Sequence, residues 1–148
     1  MATLKVKIQE DIVLGNQDYG SKRTLEIGSI NEIMKRVVTC AASQTTTIAV
    51  FNSNAYGAAG AIDIEDSKYI RVTNLDGSNS IELAVVGAAT LYQVKLAAGQ
   101  SHVLGSADDL MLSEADTSPS FGTMADLGSI QVNPGSSAVD VELFIASA

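Results

Sequence analysis

Apolar and polar positions alternate with a period of two through much of the chain. Val139–Ile145 is the clearest case. Val139, Val141, Leu143 and Ile145 share one face, and Asp140 and Glu142 share the other. Thr3–Ile8 repeats the pattern, with Leu4, Val6 and Ile8 opposed to Thr3, Lys5 and Lys7. A slip of one residue there would turn all three apolar side chains into water, so the register is well specified. The stretch from Asp66 to Leu104 holds three short runs rich in β-branched or aromatic residues: Tyr69–Asn74, Ile81–Val86 and Leu91–Leu96. Asp76-Gly77 opens a turn after the first run, Gly87 and the alanines after it form a second, and Gly99 follows the third. The three runs read as an antiparallel meander with the remaining strands wrapped around it.

Those remaining strands are Lys22–Ile27, Thr45–Phe51, a short Ile62–Ile64 and Leu127–Val132, with Ile12–Leu14 extending the first strand or beginning another. Ile30–Cys40 admits two readings. Asn31 could cap a helix whose early Glu32 and late Lys35 and Arg36 suit the helix dipole. The β-branched Val37-Val38-Thr39 favours a strand over Ile33–Thr39 instead. Gly15–Gly20 and Asn52–Gly60 read as loops. Gly105–Gly122 reads as a long acidic surface loop with a short strand possible at Leu110–Leu112. Asn133-Pro134-Gly135-Ser136 is a turn, with proline presetting φ and glycine supplying a positive φ. About ten short strands, frequent turns and at most one short helix predict a single all-β domain, residues 1–148, folded as an antiparallel, jelly-roll-like β-sandwich.

Composition narrows the functional classes. The chain has 148 residues, 46% of them hydrophobic, enough for one core without disulfides or metal. No apolar run approaches the ~20 residues of a spanning helix, and the first residues lack the pattern of a signal peptide, so no membrane partner is expected. The net charge of −8 argues against nucleic acid. An aromatic content of 5% without tryptophan weakens single-strand stacking and sugar-stacking sites.

Candidate chemistry is sparse. Cys40 is the one cysteine and His102 the one histidine, and nothing in the sequence places them together. Cys40 reads as a buried free thiol. Ser101 and His102 are adjacent on an expected strand and so point to opposite faces, which makes a poor triad. Asp63, Glu65 and Asp66 form one acidic group, and Asp108, Asp109, Glu114 and Asp116 form another. Both read as solvated charge in preference to calcium ligands, since no calcium-loop spacing is present. A carboxylate pair of the glycosidase kind needs only closeness in space, but few aromatics are available to bind a sugar. Asn52–Gly60 lacks the Lys-Ser/Thr of a phosphate loop. No catalytic, cofactor or metal residue is assigned.

The segments YIRVTNLDGSNSIELAV and LYQVKLAAGQSHVL resemble a layout found in small β-sandwich proteins of tailed-phage virions. In that layout a strand ends in Asn, a polar turn leads to an apolar strand, and a further strand runs into a Leu-x-x-Gly-Gln/Glu bend, here Leu96–Gln100. The resemblance implies a jelly-roll-like sandwich without catalysis or cofactor, located in the virion on the capsid surface. Small members of this kind act as capsid decoration (cement) proteins, commonly trimers bound to the major capsid protein. It thus implies a homo-oligomer, a trimer; in this chain the N-terminal segment and the loops Asn52–Gly60 and Gly105–Gly122 are the contact candidates. The alternatives are a carbohydrate- or receptor-binding β-sandwich module and a tail or head-completion structural protein.

Overall fold

The computed structural model describes residues 1–54, 57–88, 90–113 and 118–148. Among the described residues it is all-β, with thirteen strands and no helix. In chain order they are β1 (Ala2–Glu10), β2 (Val13–Leu14), β3 (Gln17–Asp18), β4 (Ser21–Ile30), β5 (Glu32–Cys40), β6 (Thr46–Asn52), β7 (Ile62–Asp63), β8 (Ser67–Asn74), β9 (Ile81–Gly87), β10 (Leu91–Leu96), β11 (Ser101–Leu104), β12 (Leu127–Asn133) and β13 (Val139–Ser147).

Nine of these strands build a sandwich of two sheets, ordered β10-β9-β12-β6-β7 and β11-β8-β13-β5. Apart from the two-residue β7, eight strands remain, four to a sheet. The β9–β10 hairpin stays within one sheet, and every other connection among the eight crosses to the opposite sheet. That order is the jelly roll, two interlocked Greek keys. The alternating residues of both sheets meet inside. Ile48, Leu83, Val85, Ile130 and Val132 from one sheet and Ile70, Val72, Val141, Leu143 and Ile145 from the other are buried in one cluster. The outer face of the first sheet is polar, with Glu82, Gln93 and Gln131 lining a shallow depression there.

Two sequence expectations change. Tyr69–Asn74 is not the first strand of a meander. β8 lies in the four-stranded sheet, while β9 and β10 pair with each other in the five-stranded one. The buried Asn74 explains the crossing. Its amide nitrogen lies 2.8 Å from the carbonyl of Asn79 and 3.2 Å from those of Leu96 and Ala97, and its Oδ1 accepts from the Asp76 N–H at 3.0 Å. One side chain at the end of β8 thereby fixes the turn and the end of β10 in the facing sheet. Asp76 closes the turn by accepting from the N–H groups of Ser78 and Asn79. The second change concerns the loops. Gln17–Asp18 is a short strand, and Leu110–Leu112 contributes only an isolated bridge between Met111 and Ala125. The ambiguous Ile30–Cys40 resolves as strand: Ile30 ends β4, and Glu32–Cys40 is β5, paired with β13 from Glu32↔Ser147 to Cys40↔Val139.

The two lateral seams of the sandwich are closed by side chains. On one side the Tyr92 hydroxyl meets His102 Nε2 at 3.0 Å, linking β10 to β11. On the other, the Arg36 guanidinium of β5 donates to the Ile48 carbonyl of β6. Arg71 of β8 donates to Glu142 of β13 at 2.7 Å on the outer face of the four-stranded sheet.

Candidate functional site

β1 and β4 form a separate two-stranded antiparallel ribbon, with β2 and β3 folding back as a small hairpin at its tip. The pairings Leu4↔Ile27, Val6↔Leu25 and Ile8↔Arg23 put Leu4, Val6, Ile8, Ile27 and Leu25 on one face. The opposite face carries Lys5, Lys7 and Gln9 against Glu26, Thr24 and Lys22, with Lys5 and Glu26 in an exposed ion pair at 2.8 Å. At the base, the apolar face packs on the outer side of the four-stranded sheet. Ile30, Tyr69 and Ala146 are buried there, with Leu4, Val6, Ile27 and Phe144 against them. Tyr69 and Phe144 meet edge to face at 6.0 Å.

Farther along, the apolar face leaves its support. Ile8 is 60% exposed, and Val13 and Leu14 at the tip are 70% exposed. Thus Leu4, Val6 and Ile8 do share a face, but only the first two are covered, and only halfway. Gly15 and Asn16 turn the tip with φ of 59° and 63°, as a two-residue hairpin turn with both residues left-handed requires. Gly20 lets the chain pass the Glu10 carbonyl, which a Cβ would meet at 2.6 Å.

Between the ribbon and the sheet lies a groove of about 460 Å³. Val6, Ile8 and Leu25 line it from the ribbon, and Tyr69, Val103 and Leu104 from the body. Among the described residues, the charged ones lining it are Arg23 and Lys68, both basic. The tip has the opposite sign: between Glu10 and Ser21 it carries Glu10, Asp11 and Asp18 and no basic residue. Over its first thirty residues the chain has four basic and four acidic side chains, so the whole net charge of −8 resides in the remainder.

Cys40, Ser101 and His102 do not converge. Cys40 is buried at the end of β5, and burial pushes its thiol pKa up, away from a reactive thiolate. His102 is on β11, at the other edge of the same four-stranded sheet. Three strand spacings, on the order of 14 Å, separate the two strands, so they form no thiolate–imidazole pair. Ser101 faces outward, where its hydroxyl lies 2.7 Å from that of Thr73, and His102 faces inward to Tyr92. Burial lowers the His102 pKa and raises that of Tyr92.

Among the described acidic residues Glu65, Asp66, Asp108 and Asp109 are exposed and Asp63 is half-buried. The Glu65 N–H donates to Asp63, and a side-chain hydrogen bond with Asp63 holds the Glu65 carboxyl above its ordinary value. Glu32, Asp63 and Asp66 line a cleft of about 280 Å³ without histidine or cysteine. Glu114 and Asp116 lie outside the described residues, as do Ala55, Tyr56 and Ala89 of the predicted turns. Asp108 and Asp109 are joined by Asp126, which the sequence reading missed because the Met111–Ala125 bridge brings it alongside. The three offer carboxylate oxygens within 4.8 Å of one another. Calcium takes six to eight oxygens, and one Asp126 oxygen already accepts from the Asp109 N–H at 3.0 Å. The Asp108 pKa is raised, first by desolvation and then by the charges of Asp109 and Asp126.

The ribbon was legible as strands but not as a projection. Its one signal was Ile12-Val13-Leu14, an unbroken apolar run directly before the Gly15-Asn16 turn, where a water-facing tip would be polar. No protein-family model matches the chain, and neither a curated protein nor a solved structure matches it significantly.

Proposed function

We propose that this chain is a non-enzymatic virion structural protein: a capsid decoration (cement) protein that binds the major capsid protein on the outer surface of a tailed-phage head and stabilises it there. The observation that carries this reading is the ribbon. A jelly-roll body with a dense core holds out an apolar strand pair that its own sandwich leaves half uncovered. An exposed, contiguous apolar surface of this kind marks a site of protein association. The separation of Cys40 from His102 supports a role without nucleophilic chemistry, and a body carrying all of the net negative charge suits a surface that faces away from packaged DNA. Tail and head-completion roles would use the same ribbon, and their location in the particle separates them from decoration.

The test is to mix the purified protein with tailed-phage heads stripped of accessory proteins and to follow co-sedimentation, the copy number per particle and the temperature at which heads release DNA. Saturable binding with a raised release temperature is expected. Absence of the chain from both reconstituted heads and intact virions, judged by mass spectrometry, would sink the reading.

A further inference from the structure

We infer that the tip of the ribbon docks into the groove beneath the ribbon of a second copy of this chain, so that neighbouring copies exchange arms. The tip presents Ile12, Val13, Leu14 and Tyr19, all more than half exposed, flanked by Glu10, Asp11 and Asp18. The groove presents Val6, Ile8, Leu25 and Val103, flanked by Arg23 and Lys68. The two surfaces match in apolar character and oppose each other in charge, and such complementarity guides docking and suppresses wrong partners. A groove of about 460 Å³ falls in the size range that encloses a small ligand or a few apolar side chains.

A chain cannot fill its own groove with its own tip. Val6 and Val13 are seven residues apart along a paired ribbon, on the order of 20 Å at strand spacing, and bending back would break the β1–β4 ladder. The contact therefore runs between copies: returned by the same partner it makes a two-fold pair, and passed on to a third copy it generates a ring when the rotation closes. An isolated two-stranded ribbon is marginally stable in water, so covering its outer half is itself a reason for the copies to associate. The inference concerns association between copies of this chain and does not rest on a virion location.

Sedimentation velocity of the full chain over a range of concentrations tests it, with two variants. V13D with L14D disables the tip, and V103D disables the groove. All three residues are exposed in the single chain, so far-ultraviolet circular dichroism should confirm that both variants remain folded. The wild type is expected to self-associate, more weakly at high salt, and each variant to lose at least tenfold in association. Mixed together, the two variants should form a one-to-one complex, because one retains a tip and the other a groove. A wild type that stays monomeric would overturn arm exchange, as would a monomer found by native mass spectrometry to hold an apolar small molecule. An oligomer unmoved by either variant would also overturn it while leaving the homo-oligomer standing. Arm exchange without head binding would count against the decoration role alone.

Discussion

The sandwich and the ribbon are made of the same material, alternating apolar and polar residues in extended strands, yet they bury it to opposite degrees. In β13, Val139, Val141, Leu143 and Ile145 are essentially inaccessible. In β1, the equivalent alternation leaves Leu4 and Val6 half-buried and Ile8 in water. The difference is layering. β13 is central in a sheet that faces another sheet, whereas the ribbon has one partner surface at its base and, among the described residues, none beyond. Alternation states that a strand has an apolar face; it does not state what covers that face.

The largest expected effect separates the two regions directly. Leu83→Ala or Ile130→Ala opens a cavity between the sheets and should cost roughly 2–5 kcal/mol. Val13→Ala or Leu14→Ala should change the stability of the single chain by no more than about 0.5 kcal/mol. Urea-denaturation midpoints, taken at a concentration where the protein is monomeric, check both. Equal losses at the two sites would mean that the tip is packed within its own chain.

This contrast also explains what the sequence disclosed. The strands of the sandwich were readable because the side chains of Val139–Leu143 or Tyr92–Leu96 alternate between the interior and a more open outer face as their polarity requires. Their assignment to sheets was not. Pairing β8 with β9 looked natural from the short polar turn between them, yet the decision rests with Asn74, whose amide reaches carbonyls distant in sequence. Asp126 was invisible for a similar reason, since only the chain reversal closed at Met111 and Ala125 places it beside Asp108. The tip was the one local conflict, apolar residues where a turn should be polar, and such conflicts tend to mark functional surface.

Asn74 supplies the second prediction. Asn74→Ala would leave the carbonyls of Leu96 and Ala97 without this donor at the point where the sheets are tied together. A buried polar group left unsatisfied costs about 1–3 kcal/mol. The same measurement should show a loss intermediate between the core and the tip, with hydrogen exchange accelerating first at residues 75–80.

Where body and ribbon share the outer face of the four-stranded sheet, the Arg71–Glu142 pair gives a smaller effect. The hydrogen bond from Arg71, with Lys35 nearby, holds the Glu142 carboxyl below its ordinary 4.5. The folded state therefore favours the charged form. Its contribution is complete above 4.5 and is lost as pH falls through the lower folded value. Glu142→Gln should remove that part of the acid dependence and cost about 1 kcal/mol at neutral pH.

The smallest effect belongs to the seam between β10 and β11. Partial burial lowers the His102 pKa from its ordinary 6.5, so the folded chain prefers the neutral imidazole, which can accept the Tyr92 hydroxyl at Nε2. The unfolded chain takes up its proton first as pH falls below 6.5, and from there stability declines until the folded form is protonated as well. The effect should be about 0.5 kcal/mol, the lower end of a neutral hydrogen bond. A histidine resonance that titrates below 6.5 in the folded protein, together with a melting temperature that drifts down between neutral pH and that midpoint, is the expected result. His102→Gln should flatten the drift. If the drift survives the substitution, the proton is being taken up elsewhere, and the seam is held by packing of Tyr92 and Val94 against the core and not by its hydrogen bond.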